Sequence, residues 1–473
     1  MNSSSELGAH RRRDGDGDGD GGDGRGEGFA KVALKATRRQ RAPRSSISSS
    51  KFLLPSFLLL ASLAYVLRFA LRVPEEVALP TCEAFPGLCG REISPGPAPA
   101  NGESFGRWKA PVAAHLGAVR KLGSRLENFF QLKSWSYVSV SSPKYFLAIT
   151  PVQFNYVEDI YLSVVDKTTR RLVSDFHWQM PFGRALKLAA TSTDGCSKFV
   201  GWGQDAVELC FVGGVWHFNV NLTRVKAKIQ IFKGAEALAL WYPLGGDPKR
   251  PAYVHKEAGM GAMGSITVLD LPDPSSAKGK SAAPVRQAPH IFKEGAATID
   301  WTLTRALRET KWQWVSLSCA ACSVQTWRAP FQKRSGIAAT QSMPVGINLS
   351  RLVYDVQGPG TTLPSAENAL WLDHKVHALP VAVAVDMPSN GPLQGPWVIR
   401  ANETGVVLHL EFQPHGLRED HTGSDVVGIV SDFVQPYGSF SGFLEVQNFE
   451  QGVWHRVDIE NVYGVCENHR AVW

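Results

Sequence analysis

The sequence predicts a mostly β protein: two antiparallel β units, barrels or sandwiches, preceded by one transmembrane helix and one amphipathic helix. Three observations carry this. Many short runs alternate between apolar and polar residues with a period of two, the signature of half-buried strands. The chain of 473 residues holds 14 Trp and 44 Gly, a composition suited to strands and tight turns rather than long helices. A single uncharged stretch, Phe52 to Leu67, stands alone near the start.

Residues 1–51 are expected to be a disordered basic cytoplasmic tail. The run Asp14-Gly15-Asp16-Gly17-Asp18-Gly19-Asp20 is low-complexity and has nothing to bury. It lacks the flanking helices and closing Glu of a calcium loop. The segment carries eleven Lys/Arg against seven Asp/Glu. Much of the formal charge of +7 arises there, and the remainder is close to neutral. No basic groove for nucleic acid is therefore expected.

Residues 52–73 read as a transmembrane signal anchor. Sixteen uncharged residues are short of the ~20 that span a bilayer. Arg68 and Arg72 complete the length by snorkelling to the interface. The basic cluster on the N-terminal side keeps that end cytosolic. The main domain then lies in the lumen of the endoplasmic reticulum or Golgi, or outside the cell. A cleaved signal peptide ending near Ser62-Leu63-Ala64, or an organelle presequence, remains the alternative. Beyond the span lie three sequons, at Asn221, Asn348 and Asn402, each a permissible glycosylation site. All seven cysteines lie there too. Cys82 and Cys89 bracket a tight Pro-Gly loop suited to a disulfide. Cys196 and Cys210 are placed to close a hairpin. Cys319 and Cys322 form a lone CxxC, read as buried thiols or a structural disulfide.

Residues 74–105 read as a Pro/Gly-rich stalk. An amphipathic helix follows at about 112–131, with Leu116, Val119, Leu122, Leu126 and Phe129 on one face. Strand signals then dominate. Val225, Ile229 and Ile231 alternate with Lys226 and Lys228. Val406, Leu408, Leu410 and Phe412 oppose His409 and Glu411. Val453, Val457 and Ile459 alternate with Trp454, Arg456 and Asp458. A first β domain is placed at 106–271, a linker or insertion at 272–290, and a second β domain at 291–473.

Several pieces of the C-terminal half resemble, in order and spacing, the uncharacterised family called domain of unknown function 2804. They are Ile299-Asp300-Trp301-Thr302, Lys311-Trp312-Gln313-Trp314, Val345-Gly346-Ile347-Asn348-Leu349, Glu367-Asn368-Ala369, Pro396-Trp397, Leu410-Glu411-Phe412-Gln413-Pro414, Gln435-Pro436-Tyr437-Gly438-Ser439-Phe440-Ser441-Gly442 and Glu467-Asn468-His469. The family tends to have Arg-Gly after the Asp-Trp-Thr piece, where this chain has Leu303-Thr304-Arg305. The resemblance implies no established activity. It implies paired lipocalin-like barrels, distantly similar to carotenoid hydratase and tocopherol cyclase relatives, a likeness of fold that licenses no reaction.

Glu367 and Asp300 are the candidate catalytic carboxylates. A carboxyl in an apolar barrel has a raised pKa and can protonate a double bond. Trp312, Trp314, Asn368, His377 and Trp397 are the candidate ligand-binding residues, the indoles suiting an isoprenoid, sterol or sugar ring. Each has a plainer reading. Glu367 and Asn368 end a loop with Asp373, His374 and His377 close by. Asp300 is placed to pair with Arg305 or Arg308. The tryptophans fill a core. His415, Arg418, Glu419, Asp420 and His421 read as a solvated charged loop. The spacing of His455 and His469 fits no metal pattern, and no cofactor is implied. The motifs of serine hydrolases, P-loops, dinucleotide folds and zinc proteases are all missing from the sequence. Three functions follow: a membrane-anchored β protein binding a hydrophobic ligand, an enzyme protonating an isoprenoid or lipid double bond, or a Golgi-type carbohydrate enzyme. The oligomeric state is not legible.

Overall fold

The computed structural model describes residues 78–100, 104–113, 116–270, 285–286, 288–328, 339–358, 363–424, 429–448 and 452–473. Two curled antiparallel sheets make up almost all of it. The expected anchor at 52–73 and tail at 1–51 lie outside the described residues. Among the described residues no helix is long and apolar enough to cross a membrane.

In the first sheet the order runs Arg171–Pro181, Val157–Asp166, Tyr145–Phe154, Leu132–Ser141, His290–Arg305, Pro251–Asp270, Val225–Phe232, Val215–Asn221, Ala206–Val212, Gly195–Val200 and Leu186–Lys187. The second sheet holds Lys375–Ala378, Ala369–Leu372, Ala339–Arg351, Glu309–Arg328, Val453–Val472, Ile429–Asn448, Val406–Ser424, Trp397–Glu403 and Ala384–Asp386. Each is a curled half-barrel, where barrels or sandwiches were expected. In the first, Glu158 of Val157–Asp166 reaches to the last strand: its Oε2 accepts the Ala185 and Leu186 N–H groups at 2.9 and 3.1 Å. A side chain thus does what a neighbouring strand would do.

The division between the sheets differs from the expected one. His290–Arg305 is the central partner of Leu132–Ser141 and Pro251–Asp270 in the first sheet. The second sheet therefore starts at Glu309. The Pro-rich segment expected as a linker sits between two adjacent strands of one sheet. Both sheets fall within one compact unit.

The expected stalk is packed from residue 78 onward. Leu88, Ile93 and Ala98 are buried, and Ser94–Pro97 pairs in parallel with Gly106–Ala110. The buried Arg107 guanidinium donates to the Cys89, Gly90 and Glu92 carbonyls, taking up backbone groups that a Pro-rich segment leaves unpaired. The single amphipathic helix is two short ones, Gly117–Lys121 and Arg125–Gln131. Gly123 between them has φ +75°, which ends the first helix. Ser124 then starts the second with a capping box to Glu127. Leu116 and Val119 are buried, whereas Leu122 and Leu126 are exposed.

Alternation along the strands gives every sheet two faces. One face of the first sheet packs Val138, Val140, Leu147, Ile149, Leu162 and Ile229 into its own core. The second sheet does the same with Val315, Leu317, Ile347, Leu410, Phe412 and Val457. Both curled interiors are thereby filled. The opposite faces meet each other through Tyr137, Phe146, Trp314, Tyr437 and Tyr463. At the closest approach Gly259 (φ +68°) donates its N–H to Ser318 Oγ at 2.9 Å. A Cβ at Gly259 would lie 2.8 Å from the Gly346 nitrogen.

Cys82–Cys89, Cys196–Cys210 and Cys319–Cys322 are bonded, and Cys466 is a buried free thiol. The CxxC pair spans an irregularity in Glu309–Arg328, where Cys319 faces Val345 and Cys322 faces Met343. The one extra residue makes a bulge that brings the two sulfurs together.

Candidate functional site

Where the two sheets face one another, a cavity of about 350 Å³ opens. Its walls follow from the period of two. In Leu132–Ser141, Trp135 and Tyr137 line it while Val138 and Val140 point into the first core. In Glu309–Arg328, Trp312 and Trp314 line it while Val315 and Leu317 point into the second core. The cavity is therefore between the half-barrels, not inside either.

Aromatic rings from the two sheets pair across it. Trp135 lies parallel to Trp312 at 6.5 Å between centroids, and Tyr137 meets Trp314 edge-on at 4.9 Å. Tyr161 faces Phe433 at 5.8 Å and Phe154 faces Trp473 at 5.2 Å. Trp312 also packs on His469 at 4.2 Å. Burial pushes the Tyr137 and Tyr161 phenols far above their usual value, so both stay neutral.

The polar end of the cavity is a buried triad. Lys256 Nζ lies 2.6 Å from Asp300 Oδ2 and 3.3 Å from Glu367 Oε2. Thr302 donates to the other Asp300 oxygen at 3.2 Å. Burial works against the Lys256 ammonium, but Asp300 and Glu367 more than offset it and hold the amine above its ordinary value. For Glu367 burial is the largest influence. It outweighs Lys256, and Asp300 adds to it, so the Glu367 carboxyl sits above the usual carboxylate range. One cation between two buried carboxylates compensates one of them, and the second keeps its proton most readily.

Arg418 lies over the Tyr161 ring and 5.5 Å from the Phe433 centroid. Its Nη1 is buried with no acceptor among the described residues. Glu467 accepts from Trp312 Nε1 at 2.6 Å and from Gln435 Nε2 at 2.7 Å, fixing that indole in the wall.

The structure brings four of the candidate residues together: Asp300, Glu367, Trp312 and Trp314 all line this cavity. Others fall elsewhere. Asn368 is buried and structural: its side chain accepts from Ser350 N at 2.6 Å and donates to Val381 O at 3.0 Å. Those bonds tie down the loop that presents Glu367. His377 is on another face, 6.3 Å from the His455 ring. Burial, with His455 adding, pushes its pKa down to about 4. Trp397 is fully buried in the second core, edge-on to Phe412 at 6.4 Å. Asp373 and His374 have positive φ and form the turn between Ala369–Leu372 and Lys375–Ala378.

Asn348 is no glycan acceptor in the folded chain. It is 1% exposed, accepts from Trp314 Nε1 at 2.7 Å and donates to the Glu367 carbonyl at 2.8 Å. It thereby positions two cavity residues. Asn402 is exposed and Asn221 half-buried. Asp300 does not pair with Arg305, whose guanidinium instead binds Asn128, Gln131 and the Leu122 carbonyl. The expected charged loop is part of the strand Val406–Ser424, and Arg418 and Asp420 line the cavity. Sequence reasoning missed Lys256 altogether. Its signal was present: His255, Lys256 and Glu257 interrupt an otherwise apolar strand between Tyr253 and Met260.

Fold and site define a class: paired antiparallel half-barrels with an aromatic, acid-bearing cavity between them. The chain belongs to the family described as domain of unknown function (DUF2804), which matches residues 112–473. Among curated proteins none matches. Among solved structures the chain is similar to that of CghA, at 9% identity and TM-score 0.39, covering 72% of this chain and 88% of that one. It is also similar to kievitone hydratase from Nectria haematococca, at 10% identity and TM-score 0.32, covering 76% and 95%.

Proposed function

We propose that this protein binds a hydrophobic small molecule, ring-bearing or polyene-like, in the cavity between its half-barrels. The observation that carries the reading is the cavity's wall: aromatic faces from both sheets around about 350 Å³. Apolar pockets of that size with a few convergent polar groups are the usual form of small-molecule sites. Arg418 Nη1, buried without a partner among the described residues, supports a ligand with an oxygen acceptor at one end. The test uses Trp fluorescence of the delipidated full-length chain against a panel of isoprenoids, sterols and fatty acids. Saturable quenching that Trp312→Ala weakens is expected. No quenching across the panel would refute the reading.

A second reading has its own support in the Lys256–Asp300–Glu367 triad. Glu367, its carboxyl held above the usual range by burial at the end of an aromatic cavity, is suited to carry a proton to a bound double bond. The ring faces would then stabilise the resulting cation. Incubating candidate alkenes with the protein in heavy water should place deuterium on the alkene carbon. Glu367→Gln should slow this on the order of 100-fold or more, the scale of general acid catalysis. Full exchange by the variant would remove Glu367 as the acid.

For location, we propose anchorage through 52–73 with the β domain on the lumenal or extracellular side. The charge flank of that segment supports it, as do three disulfides in one chain, which belong to an oxidising compartment. Glycosidase treatment should shift the mass of the native protein and spare an Asn221→Gln, Asn402→Gln variant. An unshifted, soluble native protein would sink the proposal.

A further inference from the structure

Lys133 is a buried amine without an acid. The residue is 0% exposed. Its Nζ hydrogen-bonds to the Tyr156 hydroxyl at 2.5 Å. The rings of Tyr156, Phe154 and Trp473 surround it, with centroids at 4.0, 4.6 and 5.6 Å. Among the described residues it has no ion pair with a carboxylate. Enclosure in apolar surroundings disfavours an ammonium that lacks a counter-charge. Burial, with the Arg308 guanidinium adding, holds this amine well below the usual lysine value.

Strand alternation puts the side chain on the cavity side of the sheet, directly behind the aromatic wall. Lys133, Trp135 and Tyr137 share one face of Leu132–Ser141, and Trp135 and Tyr137 line the cavity. So do all three rings around the amine. Tyr156 thus touches Nζ on one side and the cavity on the other.

From this juxtaposition we propose that Lys133 forms a reversible imine with the aldehyde or ketone group of a hydrophobic ligand in the cavity, with Tyr156 as proton relay. A neutral lysine amine in an apolar pocket is the nucleophile of such chemistry. The Nζ lone pair attacks the carbonyl carbon, and the C–N bond forms. The carbonyl oxygen takes a proton from Tyr156, which recovers one from nitrogen. The hydroxyl so formed takes the second nitrogen proton and leaves as water while the C=N bond forms. No oxidant or reductant is required, and water reverses the reaction. The product is the neutral imine, and the three rings limit the access of that water. The inference rests on the cavity being a hydrophobic ligand site and adds the ligand's reactive group.

The experiment treats the full-length chain with naphthaldehyde and sodium cyanoborohydride, which fixes an imine as a stable amine. Naphthalenemethanol, the matching alcohol, reports binding alone through Trp quenching. One reduced adduct per chain is expected, on the peptide containing Lys133, and excess alcohol should protect that peptide. Lys133→Arg should lose the adduct while the alcohol still quenches. Tyr156→Phe should slow labelling on the order of 100-fold. Should Lys133→Arg not fold, protection of the wild-type peptide by the alcohol decides alone. Quenching by the alcohol with label confined to other lysines overturns the imine and leaves the cavity reading standing. No adduct at Lys133 overturns the imine, and absence of quenching by naphthalenemethanol together with the lipid panel overturns the cavity reading as well.

Discussion

At the scale of single residues, the triad ties stability to pH. Glu367 has a raised pKa in the folded chain. Between the ordinary carboxylate value and the raised one, the folded state holds a proton that the unfolded state has released. The stabilisation is therefore fully present below the usual carboxylate range and is lost as pH rises through the folded value. Unfolding in denaturant across that window should show stability falling with pH, and Glu367→Gln should flatten the slope. An unchanged slope would place the buried proton elsewhere. Lys256→Met should cost about 3–5 kcal/mol, because it leaves two buried carboxylates without a cation. Combining it with Asp300→Asn and Glu367→Gln should recover much of that loss. His377 works in the opposite direction. Its folded pKa of about 4 means its contribution is present above the usual histidine value and is lost as pH falls towards 4. Sequence reading finds Glu367 in a polar cluster with Asn368, Asp373, His374 and His377, and Asp300 near Arg305 and Arg308. Their common cation lies on a strand far from both in sequence, and no spacing rule links the three.

At the scale of elements, the close approach of the sheets depends on residues without side chains. A Cβ on Gly346 would land on Ala258 and on the Gly259 nitrogen, both backbone neighbours in the facing sheet. Gly346→Ala should therefore cost about 1–3 kcal/mol or more, the range for overpacking, and a thermal melt will read it. An unaltered melt would show that the sheets separate easily there. The strands themselves were legible, since period-two alternation is a local property. The helix at 112–131 was drawn too long because Gly123 and Ser124 end one helix and start another within a continuous apolar pattern. The Val406–Ser424 strand was cut short at its charged end because Arg418 and Asp420 face a cavity rather than water.

For the whole molecule, the interiors are filled and the cavity lies between the two half-barrels. A ligand that binds only the folded pair stabilises it by mass action, about 2.7 kcal/mol at a hundredfold excess over its dissociation constant. Ligands that quench Trp fluorescence should raise the unfolding midpoint in proportion to that occupancy. A ligand that quenches without shifting the midpoint would place binding outside the cavity. The cavity itself was not legible in the sequence. Trp312 and Trp314 were picked for their size, but so was Trp397, which is core. Only the face each residue occupies separates them, and that face is set by which sheet packs opposite.

The sequence by itself determined the strands, the β class, the family and two carboxylates worth testing, because alternation, composition and short motifs act through near neighbours along the chain. Tertiary structure decided the rest. It assigned His290–Arg305 to the first sheet, turned the Asn348 sequon into a buried positioning amide, and set Lys256 between Asp300 and Glu367. It also gathered the cavity from strands more than three hundred residues apart, from Trp135 to Trp473. The physical reason is that burial and charge pairing depend on what lies across a sheet, and pairing across a sheet is not written in the spacing of residues along one strand.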